Sequence, residues 1–121
     1  MTALTEGRHA GEFILSEANG QRSREAVTID TGQNLQAGAV LGKLTSGGNY
    51  AQYDDGASDG TQAAAAILLA DCDATDADVE AAVIIRDAEV MGPMLGYLTG
   101  ADEAAAIVDL AALGIIVRVA T

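Results

Sequence analysis

The chain has 121 residues, of which 50% are apolar and 3% aromatic, and a formal net charge of −12 at pH 7. This length indicates a single domain, and the apolar fraction excludes a chain that is disordered throughout. With six Lys and Arg residues against 18 Asp and Glu residues, the chain lacks the basic clusters that bind a phosphate backbone, so the composition excludes a nucleic-acid partner.

The apolar side chains are mostly small and aliphatic, and such a core buries less area per contact than one built with aromatic rings. Because a subunit interface supplies further apolar burial, this composition favours an oligomer. Cys72 is the only cysteine, which excludes a disulfide within the chain and a cysteine-based metal site, and it is typical of a small buried side chain.

The longest apolar run, AAAAILLA at residues 63–70, is too short to cross a bilayer, which takes ~20 apolar residues. The first residues show no basic segment followed by an apolar one, as a secretion signal would. We therefore expect a soluble protein that is made in a cytoplasm and has no membrane partner.

Residues 1–24 differ from the rest because they contain one apolar patch, Phe13-Ile14-Leu15, and a turn signal, Asn19-Gly20. The segment holds the only histidine and half of the basic side chains: Arg8, His9, Arg22 and Arg24. We interpret it as an N-terminal arm that contributes little to the core. Such an arm is either a frayed tail or a strand that orders against a partner's sheet edge.

Residues 25–121 form the predicted domain, in which β-rich runs alternate with turns. The predicted strands are residues 26–29, 40–44, 50–53, 64–70, 82–85 and 115–119. The second and third make a hairpin through residues 46–49, with Tyr50 and Tyr53 expected on one strand face. The Ala-rich run 64–70 suits helix or strand, and the Asp-rich turn expected at residues 71–76 favours a buried strand.

One helix is predicted after residue 99, with Thr99 or Asp102 as its N-cap and Gly114 just past its end. We expect an apolar face of this helix to pack on the core. That face consists of Ala104, Ile107, Val108 and Ala111, with Leu110 beside it.

The acidic loops do not have the spacing of an EF-hand, which needs Gly at its sixth position and Glu at its twelfth. Loops that start at Asp54 or Asp71 have Asp and Ala there, so both are interpreted as solvated turns. His9 lies in the arm, without the rigid surroundings a catalytic base needs, and no nucleophile elbow, P-loop or dinucleotide motif is present. The sequence therefore predicts a protein that is not an enzyme and binds no cofactor or metal.

Three stretches, taken in their order along the chain, resemble a known family. They are EGRHAGEFILSEANGQRSREAVTI, LQAGAVLGKLTSGGNYAQYDDGASDGTQAAAAIL and ADEAAAIVDLAALGIIVRV. Their order of arm, hairpin, Asp/Gly loop, Ala-rich run and helix-strand pair resembles the head decoration proteins of tailed bacteriophages, the lambda-type D family.

The resemblance implies a mainly β, β-clip-like compact single domain with one C-terminal helix and an extended N-terminal arm. It implies a homotrimer made in the host cytoplasm that binds the major capsid protein on the outer surface of the virion. There it occupies three-fold sites and stabilises the shell against packaged DNA. Residues 1–24 would be the docking arm and residues 25–121 the decoration domain. The implied capsid-binding residues are Thr5, Glu6, Gly7, Arg8, His9, Phe13, Ile14 and Leu15.

A second hypothesis is a small-ligand or carbohydrate-binding β domain in which Tyr50 and Tyr53 line the site. The oligomeric state separates the two hypotheses, because a capsid cement is expected to be a trimer without any ligand.

Overall fold

The computed structural model describes residues 10–20 and 22–118, which form a mainly β structure with one α-helix near the C-terminal end, as the sequence predicts. The strands are β1 (Ile14–Glu17), β2 (Arg24–Ile29), β3 (Gln33–Leu35), β4 (Val40–Lys43), β5 (Tyr50–Gln52), β6 (Ala66–Leu68), β7 (Cys72–Ala74), β8 (Val79–Ile84), β9 (Ala88–Met91) and β10 (Ile115–Arg118). A 3-10 turn covers Gly92–Met94, and α1 covers Glu103–Ala112.

Five strands close into a barrel in the order β2-β5-β4-β6-β8. The predicted hairpin is confirmed, since β4 and β5 are antiparallel with Lys43 opposite Tyr50. The predicted strand at residues 64–70 is confirmed as β6, which pairs with both β4 and β8. The barrel therefore contains most of the strands predicted from hydrophobic patterning.

A separate three-stranded sheet has the order β1-β9-β10, with β9 in the centre. Strand β1 runs antiparallel to β9, and β10 runs parallel to it. Helix α1 leads into β10 and packs beside it. This sheet and the helix lie on the same apolar cluster as one face of the barrel strands.

Two apolar clusters fill the molecule, and the barrel strands contribute alternate residues to them. In β4, Val40 belongs to the first cluster and Leu41 to the second; in β8, Ile84 belongs to the first and Val83 to the second. Because side chains alternate across a strand, a strand buried on both faces has a nearly continuous apolar sequence. Barrel strands such as β4 and β8 therefore contribute side chains to two apolar cores, one on each face.

The sequence prediction missed a two-stranded ribbon, in which β3 pairs with β7. Residues 71–76 were predicted as a turn, yet Cys72 and Ala74 are buried and Asp73 between them is exposed. This strand has three residues, and an alternation that short is hard to distinguish from a turn rich in aspartate.

Helix α1 begins and ends where the sequence predicts, with the Asp102 carboxylate accepting a hydrogen bond from the Ala105 N–H at 3.0 Å. Gly114 has a φ of +83°, the left-handed conformation that favours glycine after a helix. The predicted inward face was wrong. The buried residues are Ala106 and Leu110, whereas Val108 is 69% exposed.

The reason is that α1 is apolar on nearly every side, so apolar spacing does not select its rotation. A polar contact distinguishes the faces: the Asp109 carboxylate accepts a hydrogen bond from the Ala64 N–H at 3.0 Å. With Asp109 and Leu110 turned toward the rest of the domain, the face that contains Ile107 and Val108 points outward.

Candidate functional site

Three of the eight predicted capsid-binding residues, Phe13, Ile14 and Leu15, lie in the part of the chain that the structure describes. The other five, Thr5, Glu6, Gly7, Arg8 and His9, lie outside the described residues. Phe13 is the last residue of a turn at residues 10–13, and Ile14 and Leu15 are the first two residues of β1.

Phe13 is a core residue, with 1% of its surface exposed. It belongs to the apolar cluster that includes Val90 and Leu110, and its carbonyl accepts a hydrogen bond from the Met91 N–H at 2.8 Å. The expectation that this patch contributes little to the core was therefore wrong for Phe13. As the only phenylalanine of an aromatic-poor chain, it gains more from burial than the aliphatic side chains around it.

The next two residues are successively more accessible. Ile14 is partly buried against the same cluster, and Leu15 is 50% exposed. The register with β9 shifts between Ile14 and Ser16, which marks a bulge-type irregularity at Leu15. A bulge turns the extra side chain away from its regular direction, and here that side chain is an exposed leucine on an outer strand.

Strand β1 is an outer strand of its sheet, with β9 on one side. An outer strand presents backbone N–H and C=O groups that an incoming strand can pair with. The register also places the start of β1 and the end of β10 at the same end of the sheet, since Ile14 lies opposite Val90 and Arg118 opposite Met91. This end of the sheet is where the chain enters β1 from the segment that was predicted to dock.

The basic residues near β1 contact carboxylates of their own chain. The Arg24 guanidinium donates two hydrogen bonds to Glu17, at 2.7 and 3.0 Å. The hydrogen bond from Arg24 holds the pKa of the Glu17 carboxyl below its usual value, and Glu17 in turn raises the pKa of Arg24. Arg22 lies 3.5 Å from Asp87 and keeps 68% of its side chain exposed.

Of these two arginines, Arg22 is thus the more available to a partner, a difference that sequence reasoning did not predict. Arg24 is held by a bidentate contact that fixes its orientation along the sheet.

Glu89, in the middle of the central strand β9, connects all three strands of the sheet. Its carboxylate accepts a hydrogen bond from the Ser16 hydroxyl of β1 at 2.8 Å and from the Arg118 guanidinium of β10 at 2.6 Å. The Arg118 contact, and then the Ser16 contact, lower the pKa of Glu89. The sheet that carries the candidate site is therefore cross-linked by polar side chains on its exposed side.

The two tyrosines proposed to line a ligand site are both buried, and they do not share a face. Tyr50 belongs to one apolar cluster and Tyr53 to the other. The separation of three residues is odd, so a strand of period two places the side chains on opposite faces, and the sequence interpretation was wrong. Tyr53 also donates its hydroxyl to the Asp102 carbonyl at 2.9 Å, which uses its polar group inside the domain.

Other candidates for chemistry also have structural roles. Cys72 is buried, and burial raises the pKa of its thiol, which is the opposite of what a reactive cysteine needs. Within residues 10–20 and 22–118, no group of three or more His, Cys, Asp or Glu side chains is arranged to hold a metal ion. Over the same residues, no helix is long and apolar enough to cross a membrane.

One surface that sequence reasoning missed is the outward face of α1, which was assigned to the core. The signal that would have found it is the absence of a continuous polar stripe on the helix, because a helix that is apolar on nearly all sides presents apolar residues outward in any rotation.

Comparison with protein families gives a match along nearly the whole chain. The family described as bacteriophage lambda head decoration protein D matches residues 3–115. This range includes residues before β1, all strands from β1 to β9 and α1, and it ends at the first residue of β10. No curated protein matches the chain.

Proposed function

Because the chain belongs to the bacteriophage lambda head decoration protein D family, we propose that it is a homotrimeric cement that binds the outside of the mature capsid at three-fold sites. In this role it clamps neighbouring copies of the major capsid protein and stabilises the shell against the pressure of packaged DNA. The family is one of structural proteins of the phage head, and membership locates this chain on the virion. The β-clip character of the core belongs to the same proposal.

We infer that the docking segment is residues 5–9 together with the outer strand that follows them. The observation that carries this is the position of Phe13, whose buried ring anchors the chain in the core directly before an outer strand. Because Phe13 holds the C-terminal end of this segment in place, less conformational entropy is lost when the residues before it pair with a capsid strand. Main-chain hydrogen bonds supply affinity and the exposed Leu15 supplies an apolar contact.

Three copies of the segment on one trimer would engage the shell together. Linking weak sites in this way raises the overall affinity by about 10²–10⁴ when the geometry allows all of them to bind at once. A modest contact per copy is therefore sufficient for a stable cement.

The test is a chain that lacks residues 1–9, with Phe13 and β1 kept. We expect it to melt like the full chain, since no described core residue is removed, and to lose binding to heads stripped of decoration protein, measured by co-sedimentation. A matched control replaces residues 1–9 by a Gly/Ser segment of equal length, which keeps the length and removes the side chains. Full binding by the truncated chain would overturn the docking segment.

Two further measurements test the proposed trimer and its cement function. The full chain is expected to have the mass of a trimer by light scattering and to raise the temperature at which stripped, DNA-filled heads break. Heads that bind the protein and break at an unchanged temperature would contradict the cement function while leaving the docking segment intact.

A further inference from the structure

The turn between β1 and β2 contains an asparagine followed by a glycine, Asn19 and Gly20. Both residues are exposed, and a Cβ added at Gly20 would meet no atom of the described residues within 4 Å beyond its chain neighbours. The turn is closed at its base, because the Ala18 N–H donates to the Ser23 hydroxyl oxygen at 2.9 Å. The Asn19 side chain and the peptide that follows it therefore lie at the open tip of an anchored turn.

An asparagine in this position can react with its own backbone. The Gly20 nitrogen, after giving its proton to a base in the solvent, attacks Cγ of Asn19 and closes a cyclic succinimide. The Cγ–Nδ2 bond breaks, and the departing nitrogen takes a proton from water and leaves as ammonia. Water then adds to one of the two ring carbonyls. Addition at Cγ restores the backbone and gives aspartate, whereas addition at the backbone carbonyl gives isoaspartate.

The backbone at Gly20 suits this ring closure. A residue without Cβ presents no side chain to the approaching Cγ, and its φ of +70° is a conformation that glycine adopts without steric cost. Within the described residues, the Gly20 N–H donates no hydrogen bond. The attacking nitrogen is therefore not held by another partner.

The other two asparagines of the chain are less suited to the reaction. Asn34 precedes Leu35, which is buried and lies in the ribbon with β7. Asn49 precedes the buried Tyr50, and its Nδ2 donates to the Asp30 carboxylate at 3.1 Å. A large, packed residue after the asparagine hinders the approach of its nitrogen, and a bonded side-chain amide is held away from its own backbone.

Two steps of aspartate followed by glycine, at residues 55–56 and 59–60, lead to the same ring. In the first, the glycine N–H donates to the Asp54 carboxylate at 3.0 Å. In the second, the glycine N–H donates to the Gln62 side-chain carbonyl at 2.8 Å, and the glycine lies against the Lys43 backbone. These contacts hold both nitrogens, and an ionised carboxylate reacts less readily with a nucleophile than an amide does.

We propose that Asn19 is a site of spontaneous deamidation, at which the chain is converted through a succinimide to isoaspartate and aspartate. The reaction consumes only solvent water and releases ammonia, and it is faster at higher pH because the attacking nitrogen must lose its proton. The product adds one negative charge to the turn after β1, three residues before Arg22, and isoaspartate also adds one carbon to the backbone. This inference is independent of the proposed function.

The experiment incubates the purified full chain at neutral and at mildly alkaline pH, and denatures and digests samples with trypsin over time. Cleavage after arginine and lysine places the three asparagines on separate peptides, residues 9–22, 25–43 and 44–86. Mass spectrometry with fragment ions reports the conversion at each asparagine, and a sample digested at the start corrects for conversion during digestion. We expect Asn19 to convert first, and faster at alkaline pH.

Two variants and a reference peptide complete the test. Asn19→Gln should lose the conversion, because glutamine closes a larger ring more slowly, whereas the matched control Asn34→Gln should keep the wild-type rate at Asn19. A synthetic peptide of residues 9–22 gives the rate without the fold. A folded chain in which Asn19 stays unconverted after the peptide has converted would overturn the inference, as would faster conversion at Asn34 or Asn49. Neither result bears on capsid binding, and a failure of capsid binding leaves this inference intact.

Discussion

At the residue scale, Glu17 shows how one carboxylate joins the candidate site to the rest of the domain. It lies at the end of β1 and receives two hydrogen bonds from Arg24 at the start of β2. The contact closes the turn between the two strands, so it helps to set the direction in which the outer strand runs. Both side chains are partly accessible, at 24% and 35%, which limits the contribution to stability.

We predict that Glu17→Gln destabilises the protein at neutral pH by ~0.2–1 kcal/mol, the range of solvent-accessible ion pairs. The pKa of Glu17 is lowered in the folded protein, so its stabilisation is present above the unfolded value of ~4.3 and is lost as the pH falls through the folded value. Urea unfolding of both proteins between pH 7 and acid pH measures this. The difference in free energy should shrink toward zero on the acid side.

The control for this prediction is Glu12→Gln, at an exposed glutamate for which the described part of the chain shows no side-chain hydrogen bond or ion pair. Its effect on stability at neutral pH should be small. A wild-type advantage over Glu17→Gln that stays constant down to acid pH would show that the ion pair is not the cause.

Phe13 is the residue at which sequence interpretation and structure differ most consequentially. Composition assigned it to an arm because the segment contains only this one apolar patch, yet the ring is almost fully buried. Burial of a single large ring depends on contacts with residues far along the chain, such as Val90 and Leu110. Local composition contains no information about those contacts.

At the element scale, helix α1 shows that different interactions determine the ends of a helix and its rotation. The helix is amphipathic only in a weak sense, because its inward side has Ala106 and Leu110 and its outward side is also apolar. Its cap and its terminal glycine define where it begins and ends, whereas contacts with the barrel define its rotation.

We predict that Leu110→Ala lowers the free energy of unfolding by about 2–5 kcal/mol, because the fully buried leucine leaves a cavity. Leu113→Ala, three residues later on the exposed side, removes the same atoms from a 38% exposed position and should cost well under half as much. Chemical unfolding at a fixed protein concentration measures both. Equal losses would mean that the helix is rotated differently from the structure described here.

Much of the fold was predictable because its elements have strong local signals. The hairpin β4–β5 and the start and end of α1 follow from alternation, turn residues and capping, which act within a few residues. The ribbon of β3 and β7 was not predictable, since each strand has three residues and the pairing joins segments far apart in the chain.

The candidate site was predictable in part for the same reason. The apolar patch at residues 13–15 was consistent with a short strand or an anchor, and β1 begins at Ile14. The sequence could not assign the separate roles of anchor, partly buried neighbour and exposed residue to Phe13, Ile14 and Leu15, because those roles depend on the position of β9.

At the scale of the whole molecule, the two edges of the three-stranded sheet have different surroundings. Strand β1 forms one edge, and β10, with helix α1 packed beside it, forms the other. The proposed docking through β1 would therefore leave the β10 edge and the helix accessible.

The last prediction concerns how salt acts on docking. If Arg8 and Arg22 meet an acidic capsid rim, affinity for stripped heads should fall as salt rises, since screening shortens the range of such contacts from ~30 Å at 0.01 M to ~8 Å at 0.15 M. Co-sedimentation across this range of salt concentrations measures the affinity.

Arg22→Gln should flatten the salt dependence, because 68% of the Arg22 side chain is exposed and it lies next to the docking strand. Lys43→Gln, which removes one exposed cation from barrel strand β4, should leave the dependence unchanged. A binding constant that does not vary with salt would mean that the segment docks through backbone pairing and Leu15 alone.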